Sequence, residues 1–177
     1  MEDQRIVKTR QALYQALAGL LKEKEFERIT VSDIIREAHV TWKTFYNHYQ
    51  DKIELVQEYQ AMLSREILAL QSLHGTLDYD YFTDLFTLLE KKDALLSGLM
   101  SPRGSLAIQE IMKGTMSGYC RQRLSGGKED AVLLKYQSVM TANAIFGVIQ
   151  YWLTARPQLP PKEIAGIICR CVNLKPV

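Results

Sequence analysis

The 177-residue sequence has few of the residues that interrupt or cross-link a chain, with 10 glycines, 5 prolines and 3 cysteines. Sparse glycine and proline leave long uninterrupted stretches, which favour helices over many short strands. An odd number of cysteines without a regular framework is not typical of a secreted disulfide scaffold. Cys169 and Cys171 are spaced C-x-C, whereas metal and redox motifs are usually C-x-x-C. We therefore interpret these two thiols and Cys120 as apolar side chains on helices.

The sequence also lacks an excess of charge of either sign. The net charge is +2, and residues 1–60 hold nine Lys and Arg against ten Asp and Glu. A protein that binds nucleic acid usually shows a basic patch. Composition alone therefore does not support such a partner, and any case for one depends on where the charges lie.

No apolar signal core is present in the polar start of the chain, Met1 to Arg5. The longest charge-free stretch, 136–155, is just long enough to span a bilayer, which takes about 20 residues. Polar side chains punctuate this stretch, and polar groups without partners are costly in lipid. We predict a helix buried on nearly all sides within protein, no membrane segment and a cytoplasmic location.

Helical periodicity is what the sequence does contain. Apolar residues recur at spacings of three, four and seven, and Thr30 with Asp33 forms a capping-box pattern that begins a helix. Thr41 is placed to cap the next helix, and Asp51 with Glu54 repeats the box. The pattern predicts an all-α fold of about nine helices, at 5–24, 31–38, 42–49, 51–72, 78–90, 92–99, 104–124, 130–155 and 161–172.

Helices 31–38 and 42–49, joined by a short turn, have the dimensions of a helix-turn-helix. Phe45 and Tyr49 are four residues apart and can face inward. The other side chains of the second helix are mostly hydrogen-bonding groups that suit base edges and phosphate oxygens. No acid lies between Glu37 and Asp51, so this tip is locally positive. The alternative interpretation is a helix–helix corner with aromatics placed by chance.

Three segments resemble the N-terminal domain of the TetR family: FERITVSDIIREA at 26–38, VTWKTFYNHY at 40–49 and DKIEL at 51–55. The resemblance implies a three-helix DNA-binding domain over 1–50 and a helical ligand-binding and dimerisation domain over 51–177, with helix 51–72 as connector. The implied function is a sequence-specific transcriptional repressor released by a small-molecule ligand. The alternative is a TetR-like co-activator that acts through a protein partner.

The resemblance also implies roles at individual positions. The hydroxyls of Thr44 and Tyr46 would bind phosphates, and Thr30 and Lys52 would add phosphate contacts. Bases would be read by the residues at variable positions of the second helix, which are Trp42, Lys43 and Asn47. The family often has Gly at the position of His39, in a turn that favours a left-handed backbone, and a small residue at the position of Lys43. The alternative to a DNA contact, for any single residue, is a role in helix capping, in core packing or as a solvated charge. The full DNA-binding set is Thr30, Thr41, Trp42, Lys43, Thr44, Tyr46, Asn47, His48 and Lys52.

Residues 142–153 resemble the penultimate helix of one TetR subgroup, which continues with a Pro-rich turn and a segment like Pro161–Ala165. The resemblance implies a homodimer in which the last two helices pack against their symmetry mates. Ala142, Ala144 and Gly147 would allow close approach of a second helix. The alternative is the central helix of a monomeric core. The predicted interface residues are Phe146, Ile149, Trp152, Ile164 and Ile168.

Methionines and aromatics between residues 79 and 140 suggest a cavity for a small apolar ligand, although such residues at helical spacing are more often plain core. The three histidines have no metal spacing, and neither a Gly-rich phosphate loop nor a nucleophile motif is present. We therefore predict no enzyme, metal or cofactor. The predicted partners are an inverted-repeat DNA duplex, a second copy of the chain, and a small apolar ligand or a protein. The predicted pocket residues are Phe82, Phe86, Met112, Met116, Tyr119, Met140 and Asn143.

Overall fold

The computed structural model describes residues 4–92, 94–125, 130–154 and 159–172. Within these ranges the chain is all-helical, as predicted, and the helix boundaries agree with the predicted ones within two residues, except that the third helix ends three residues early. The predicted breaks at 126–127 and 156–158, and the predicted helix end at 155, lie outside the described residues. The nine described helices are α1 (Gln4–Glu23), α2 (Val31–Glu37), α3 (Trp42–Tyr46), α4 (Lys52–Leu73), α5 (Tyr79–Glu90), α6 (Ala94–Met100), α7 (Leu106–Leu124), α8 (Ala131–Thr154) and α9 (Pro161–Val172), with a 3-10 helix at Phe26–Arg28.

Side-chain caps explain where several helices begin. The Thr30 hydroxyl accepts from the Asp33 amide at 3.1 Å, and the Asp33 carboxylate accepts from the Thr30 amide at 3.0 Å, which completes the predicted capping box. Thr41 accepts from the Thr44 amide at 3.0 Å at the start of α3. Asp51 accepts from the Glu54 amide at 2.9 Å at the start of α4. Each bond satisfies an amide that has no partner within its own helix.

The first of two compact units comprises Met1–Glu66 and Lys92–Ser105. It contains the helix-turn-helix, and it also contains α6, which packs against α1. A Cβ on Gly98 would lie 3.0 Å from Leu21 Cδ1, so glycine permits this close packing. The Phe26 amide donates to the Arg103 carbonyl at 2.8 Å. A segment some 50 residues from the helix-turn-helix in sequence is therefore part of the same core, and the functional boundary after residue 50 stays a prediction.

The second unit comprises Ile67–Lys91 and Leu106–Val177. In this unit α7 packs against α8, and α5 packs against α9. The rings of Phe86 and Trp152 meet edge to face with centroids 4.9 Å apart. The Trp152 indole donates to the Leu159 carbonyl at 2.7 Å, so the one polar atom of this buried ring is satisfied.

Helix α8 is buried on one face only, which corrects the prediction of a helix buried on nearly all sides. Its inner face carries Leu134, Ser138, Ala142, Ile145, Phe146, Ile149, Trp152 and Leu153. The opposite face is exposed at helical spacing, and we name it the α8 outer stripe: Leu133, Tyr136, Met140, Ala144, Gly147 and Tyr151. In the described part of the chain, α8 alone is long and apolar enough to cross a membrane, which is weak evidence because a core helix of a soluble protein passes the same test.

Candidate nucleic-acid interface

A left-handed residue makes the turn between α2 and α3. His39 has φ 53°, which confirms the expected conformation at the position where the TetR family often has glycine. The Val40 amide donates to the Ile35 carbonyl at 3.2 Å and the His39 amide donates to the Arg36 carbonyl at 3.3 Å. These two bonds form the Schellman arrangement that satisfies the end of a helix. The turn therefore has a defined geometry, and a non-glycine residue holds it under strain.

Replacing His39 with glycine is expected to stabilise the protein. Glycine adopts the left-handed conformation without the Cβ clash, so the His39→Gly free energy of unfolding should rise by about 0.5–1 kcal/mol. His39→Ala is the matched control, because alanine keeps the Cβ and should give no gain. Urea unfolding curves of the two variants and the wild type measure the difference. Equal stabilities of His39→Gly and His39→Ala would contradict the strain.

The inner side of the turn region is fixed by two buried aromatic residues. Phe45 is fully buried and Tyr49 is nearly so, as the sequence predicted. Their ring centroids are 5.7 Å apart. Because α3 is only five residues long, its orientation depends on these anchors more than on its own backbone hydrogen bonds.

Glu58 on α4 bonds to three side chains from other parts of the first unit. The Arg10 guanidinium lies 3.0 Å from one carboxylate oxygen. Tyr14 donates to the other oxygen at 3.4 Å, and Tyr49 donates to that same oxygen. Burial, together with the Glu58 charge, raises the pKa of both Tyr14 and Tyr49, so both hydroxyls remain donors. This network connects α1, α4 and the end of the helix-turn-helix. Sequence reasoning missed it because its partners are up to 48 positions apart.

The outer side of α3 brings most of the predicted DNA-binding residues together. Trp42 and Tyr46 are each 52% exposed, and their rings stack with centroids 5.7 Å apart and planes 13° apart. The hydroxyls of Thr41 and Thr44 are 2.8 Å apart. In the described part of the chain no carboxylate is paired with Lys43. The residues exposed here are Thr41, Trp42, Lys43, Tyr46, Asn47 and His48, and Thr44 is half-buried.

Lys52 bonds to the backbone of its own chain, and the phosphate contact expected of it stays a prediction. Its ammonium donates to the carbonyls of Phe26 at 2.6 Å, Glu27 at 3.1 Å and Ile29 at 2.6 Å. It also lies 4.6 Å from the centre of the Phe26 ring. Burial lowers the pKa of Lys52, against the opposing effect of nearby Glu27 and Asp51. All three ammonium hydrogens are occupied by the backbone, so Lys52 holds the 3-10 helix in place.

Thr30 is exposed, but its hydroxyl is engaged within the chain. Besides its capping role, it donates to Asp33 at 2.9 Å. The same carboxylate group receives Lys24 at 3.0 Å and Arg36 at 2.8 Å. The bond from the Thr30 amide, together with the bonds from the Lys24 ammonium and the Thr30 hydroxyl, holds the pKa of Asp33 well below its usual range. Thr30 and Asp33 therefore first define the start of α2, and a phosphate contact from Thr30 stays a prediction.

The predicted pocket residues do not lie together. Phe82 and Phe86 are fully buried in the core of the second unit, whereas Met140 is 71% exposed on the α8 outer stripe. Asn143 is exposed and donates to the Val139 carbonyl of its own helix at 2.8 Å. The remaining three, Met112, Met116 and Tyr119, are half-buried on α7. Met140 and Asn143 differ from the prediction because α8 turns their side away from the core.

All five predicted interface residues are buried within the single chain. Phe146 and Ile149 lie on the inner face of α8, and Trp152 packs on Phe86. Ile164 and Ile168 are likewise buried on α9. The surface that α8 offers to another molecule is therefore the outer stripe, on the opposite side of the helix from the residues predicted.

Arg123 was not singled out from the sequence, yet it ties α7 to the end of α4 in the second unit. Its guanidinium donates to the carbonyls of Gln71 at 2.6 Å and Gly75 at 2.6 Å, and to the Tyr119 hydroxyl at 2.9 Å. A cation at these carbonyls is favourable because a helix C-terminus carries partial negative charge. The carbonyls of Gln71 and Gly75 are about 50 positions earlier in the chain, beyond any local pattern.

The fold and the exposed α3 surface define the class of protein as a helix-turn-helix regulator with a helical C-terminal region. Residues 13–59 match the family "Bacterial regulatory proteins, tetR family". Residues 79–174, more than half of the chain, match "Transcriptional regulator C-terminal region". The chain belongs to the TetR family of bacterial regulatory proteins.

Three relatives illustrate the likeness. The chain is 28% identical over 188 residues to the uncharacterized HTH-type transcriptional regulator YxbF of Bacillus subtilis, covering 98% of this chain and 47% of that protein. The chain thus spans about half the length of this curated relative. A TetR transcriptional regulator from Streptococcus agalactiae has a similar structure, with a TM-score of 0.61 and 22% identity over 96% of both chains. FadR of Thermus thermophilus, a TetR-family repressor in complex with lauroyl-CoA, has a TM-score of 0.51 and 20% identity over 93% of both chains.

Proposed function

We propose that this protein is a cytoplasmic transcriptional regulator that binds inverted-repeat DNA as a homodimer. The observation that carries the proposal is the outer side of α3, where aromatic, hydroxyl, amide and lysine side chains are exposed together on a helix whose inner side is anchored in the core. In helix-turn-helix proteins the second helix enters the major groove, and its N-terminal residues contact base edges. The membership of the chain in the TetR family supports this use of α3.

Substitutions on α3 test DNA binding and separate two kinds of contact. Tyr46→Phe removes a hydroxyl that we expect to bind a phosphate, so it should weaken binding to every duplex by a similar factor, because phosphates carry no base identity. Lys43→Ala and Asn47→Ala should instead change the preferred sequence. Selection from random duplexes, followed by gel-shift titration at low salt, measures both. A wild-type protein that retards no selected duplex would reject DNA binding.

The α8 outer stripe is the surface we propose for the second copy. It is continuous and uncharged along most of a 24-residue helix, and exposed apolar patches of this kind mark interaction sites. Ala144 and Gly147 lie near its middle, where small side chains let two helices approach closely. We keep a dimer through the last two helices, but Phe146, Ile164 and Ile168 are all buried within the chain. Its α8 contacts are therefore the exposed residues of the outer stripe, such as Met140 and Tyr151. Assignment to the subgroup suggested by residues 142–153 remains part of the proposal.

A small apolar ligand that releases the regulator from DNA is the further part of the proposal, and FadR in complex with lauroyl-CoA shows a ligand with an apolar acyl chain in this fold. The predicted lining residues do not surround one cavity, because Phe86 lies in the core and Met140 is exposed. This favours the alternative, a co-activator that acts through a protein partner. A thermal-shift screen with acyl-CoA thioesters separates the two. A thioester that raises the melting temperature and lowers DNA affinity would support ligand release, whereas no shift with any of them would favour the co-activator.

A further inference from the structure

The stacked aromatic pair on α3 is unusual for the surface on which it lies. Among the described residues of the first unit, Trp42, Tyr46 and Ile53 are the large apolar side chains that are exposed. Two of these three form the pair, and both are about half exposed. The other large apolar side chains of the unit are buried or half-buried, so this stacked pair is an exposed apolar surface on the helix that faces DNA in the proposed function.

The stacked pair is supported by a buried ring of the core. The Tyr46 ring meets the fully buried Phe45 ring at 82°, with centroids 5.5 Å apart, and on its other side it stacks with Trp42. Trp42 and Tyr46 are four positions apart, which places them on one side of the helix. Rings held in this way lose little conformational entropy when a second surface covers them.

One group at the base edges of the major groove is apolar and can pack against such a pair of rings. The base edges present hydrogen-bond donors and acceptors, together with the C5-methyl group of thymine. A charged phosphate gains nothing from contact with an indole face. The hydrogen-bond donors and acceptors of the groove suit the polar side chains beside the pair, Thr41 and Asn47. The apolar occupant that fits Trp42 is therefore the thymine methyl.

We propose that Trp42, backed by the ring of Tyr46, is a specificity-determining residue that selects thymine in each half-site through its C5-methyl group. The inference rests on the proposed DNA binding and adds to it the identity of one base. It gives the Tyr46 ring a part in selecting sequence, separate from any phosphate contact made by its hydroxyl.

Deoxyuridine lacks only the methyl group of thymidine, so it tests the inference directly. The probe is the duplex selected from random sequences, in which each thymidine is replaced singly by deoxyuridine and the dissociation constant is measured by fluorescence anisotropy. We expect one position in each half-site at which the replacement weakens binding about four-fold, the factor that corresponds to ~0.8 kcal/mol for one buried methyl group. In Trp42→Ala that difference should disappear, while deoxyuridine replacement at other positions has the same effect as before.

Tyr46→Phe is the matched control, because it keeps the ring. It should weaken binding to all duplexes yet preserve the difference between thymidine and deoxyuridine. Trp42 is exposed, so circular dichroism should show Trp42→Ala to be folded. A wild-type protein that binds its selected duplex but treats deoxyuridine as thymidine at every position would overturn the inference and leave DNA binding intact. The inference would also be overturned if Trp42→Ala still bound the thymidine duplex more tightly than the deoxyuridine duplex at that position. Failure to bind any duplex would overturn both.

Discussion

Phe146→Glu is expected to unfold the protein, whereas Met140→Glu, on the opposite face of the same helix, is expected to give a folded monomer. Phe146 is 2% exposed and Met140 is 71% exposed within one chain. A carboxylate at Phe146 would be a buried charge without a partner and would also remove the ring from the core, at a cost of at least about 4 kcal/mol. That is a large part of the whole stability of an ordinary domain, about 5–15 kcal/mol.

Met140→Glu should change the stability of the single chain by no more than about 0.5 kcal/mol, because the site is solvent-exposed there. In the proposed dimer two carboxylates would be brought into an apolar interface, and removing such charges from water prevents association. Far-ultraviolet circular dichroism with heating measures the folded state. Light scattering on the same samples gives the molar mass.

Lys135→Glu is the control for the added charge, because Lys135 is exposed on α8 but lies outside the outer stripe. It should remain a folded dimer. The prediction fails if the wild type is a monomer at high micromolar concentration, or if Met140→Glu remains a dimer. A stable, folded Phe146→Glu protein would contradict the placement of this ring in the core.

The second large effect is expected at Lys52. Lys52→Met removes three ammonium hydrogen bonds to backbone carbonyls while keeping an apolar side chain of similar length. Hydrogen bonds to charged groups contribute more than neutral ones, and carbonyls left without a partner add a desolvation cost. We expect the free energy of unfolding to fall by about 3 kcal/mol, as measured by urea unfolding with the midpoint and slope fitted separately.

Lys43→Met is the matched control, since it removes the same charge from an exposed side chain and should change stability by less than about 0.5 kcal/mol. DNA titrations at several salt concentrations complete the test. A lysine that binds a phosphate contributes about one unit to the slope of log affinity against log salt. We expect folded Lys52→Met to keep the wild-type slope. Unchanged stability together with a slope reduced by about one unit would instead support Lys52 as a phosphate contact.

The sequence by itself determined the features that depend on neighbouring residues. The capping box at Thr30 and the cap at Thr41 place the starts of α2 and α3, because a side chain reaches an amide only three residues away. The inward direction of Phe45 and Tyr49 follows from their spacing of four. The left-handed turn at His39 was also expected, from the position that the TetR family gives to glycine.

Only the tertiary structure decided which face of α8 is buried. The helix has no charge after Lys135, so its sequence does not distinguish an inner from an outer face, and the interface was predicted on the side that packs against Phe86. For the same reason Met140 was predicted from the sequence as a pocket residue, whereas the structure exposes it. A periodic signal exists only when one face of a helix is polar, and an exposed apolar stripe removes that signal.

The tertiary structure also decided the partners of the charged side chains. Lys52 bonds to carbonyls 23 to 26 positions earlier, Arg10 pairs with Glu58 across 48 positions, and Arg123 bonds to carbonyls about 50 positions earlier. Local patterns carry no information about such pairs, because they exist only after the helices have packed. A lysine at the start of α4 suits a phosphate and a backbone carbonyl equally well by its chemistry. Packing of the 3-10 helix beside Lys52 brings three carbonyls within reach of the ammonium, and that proximity selects the carbonyls.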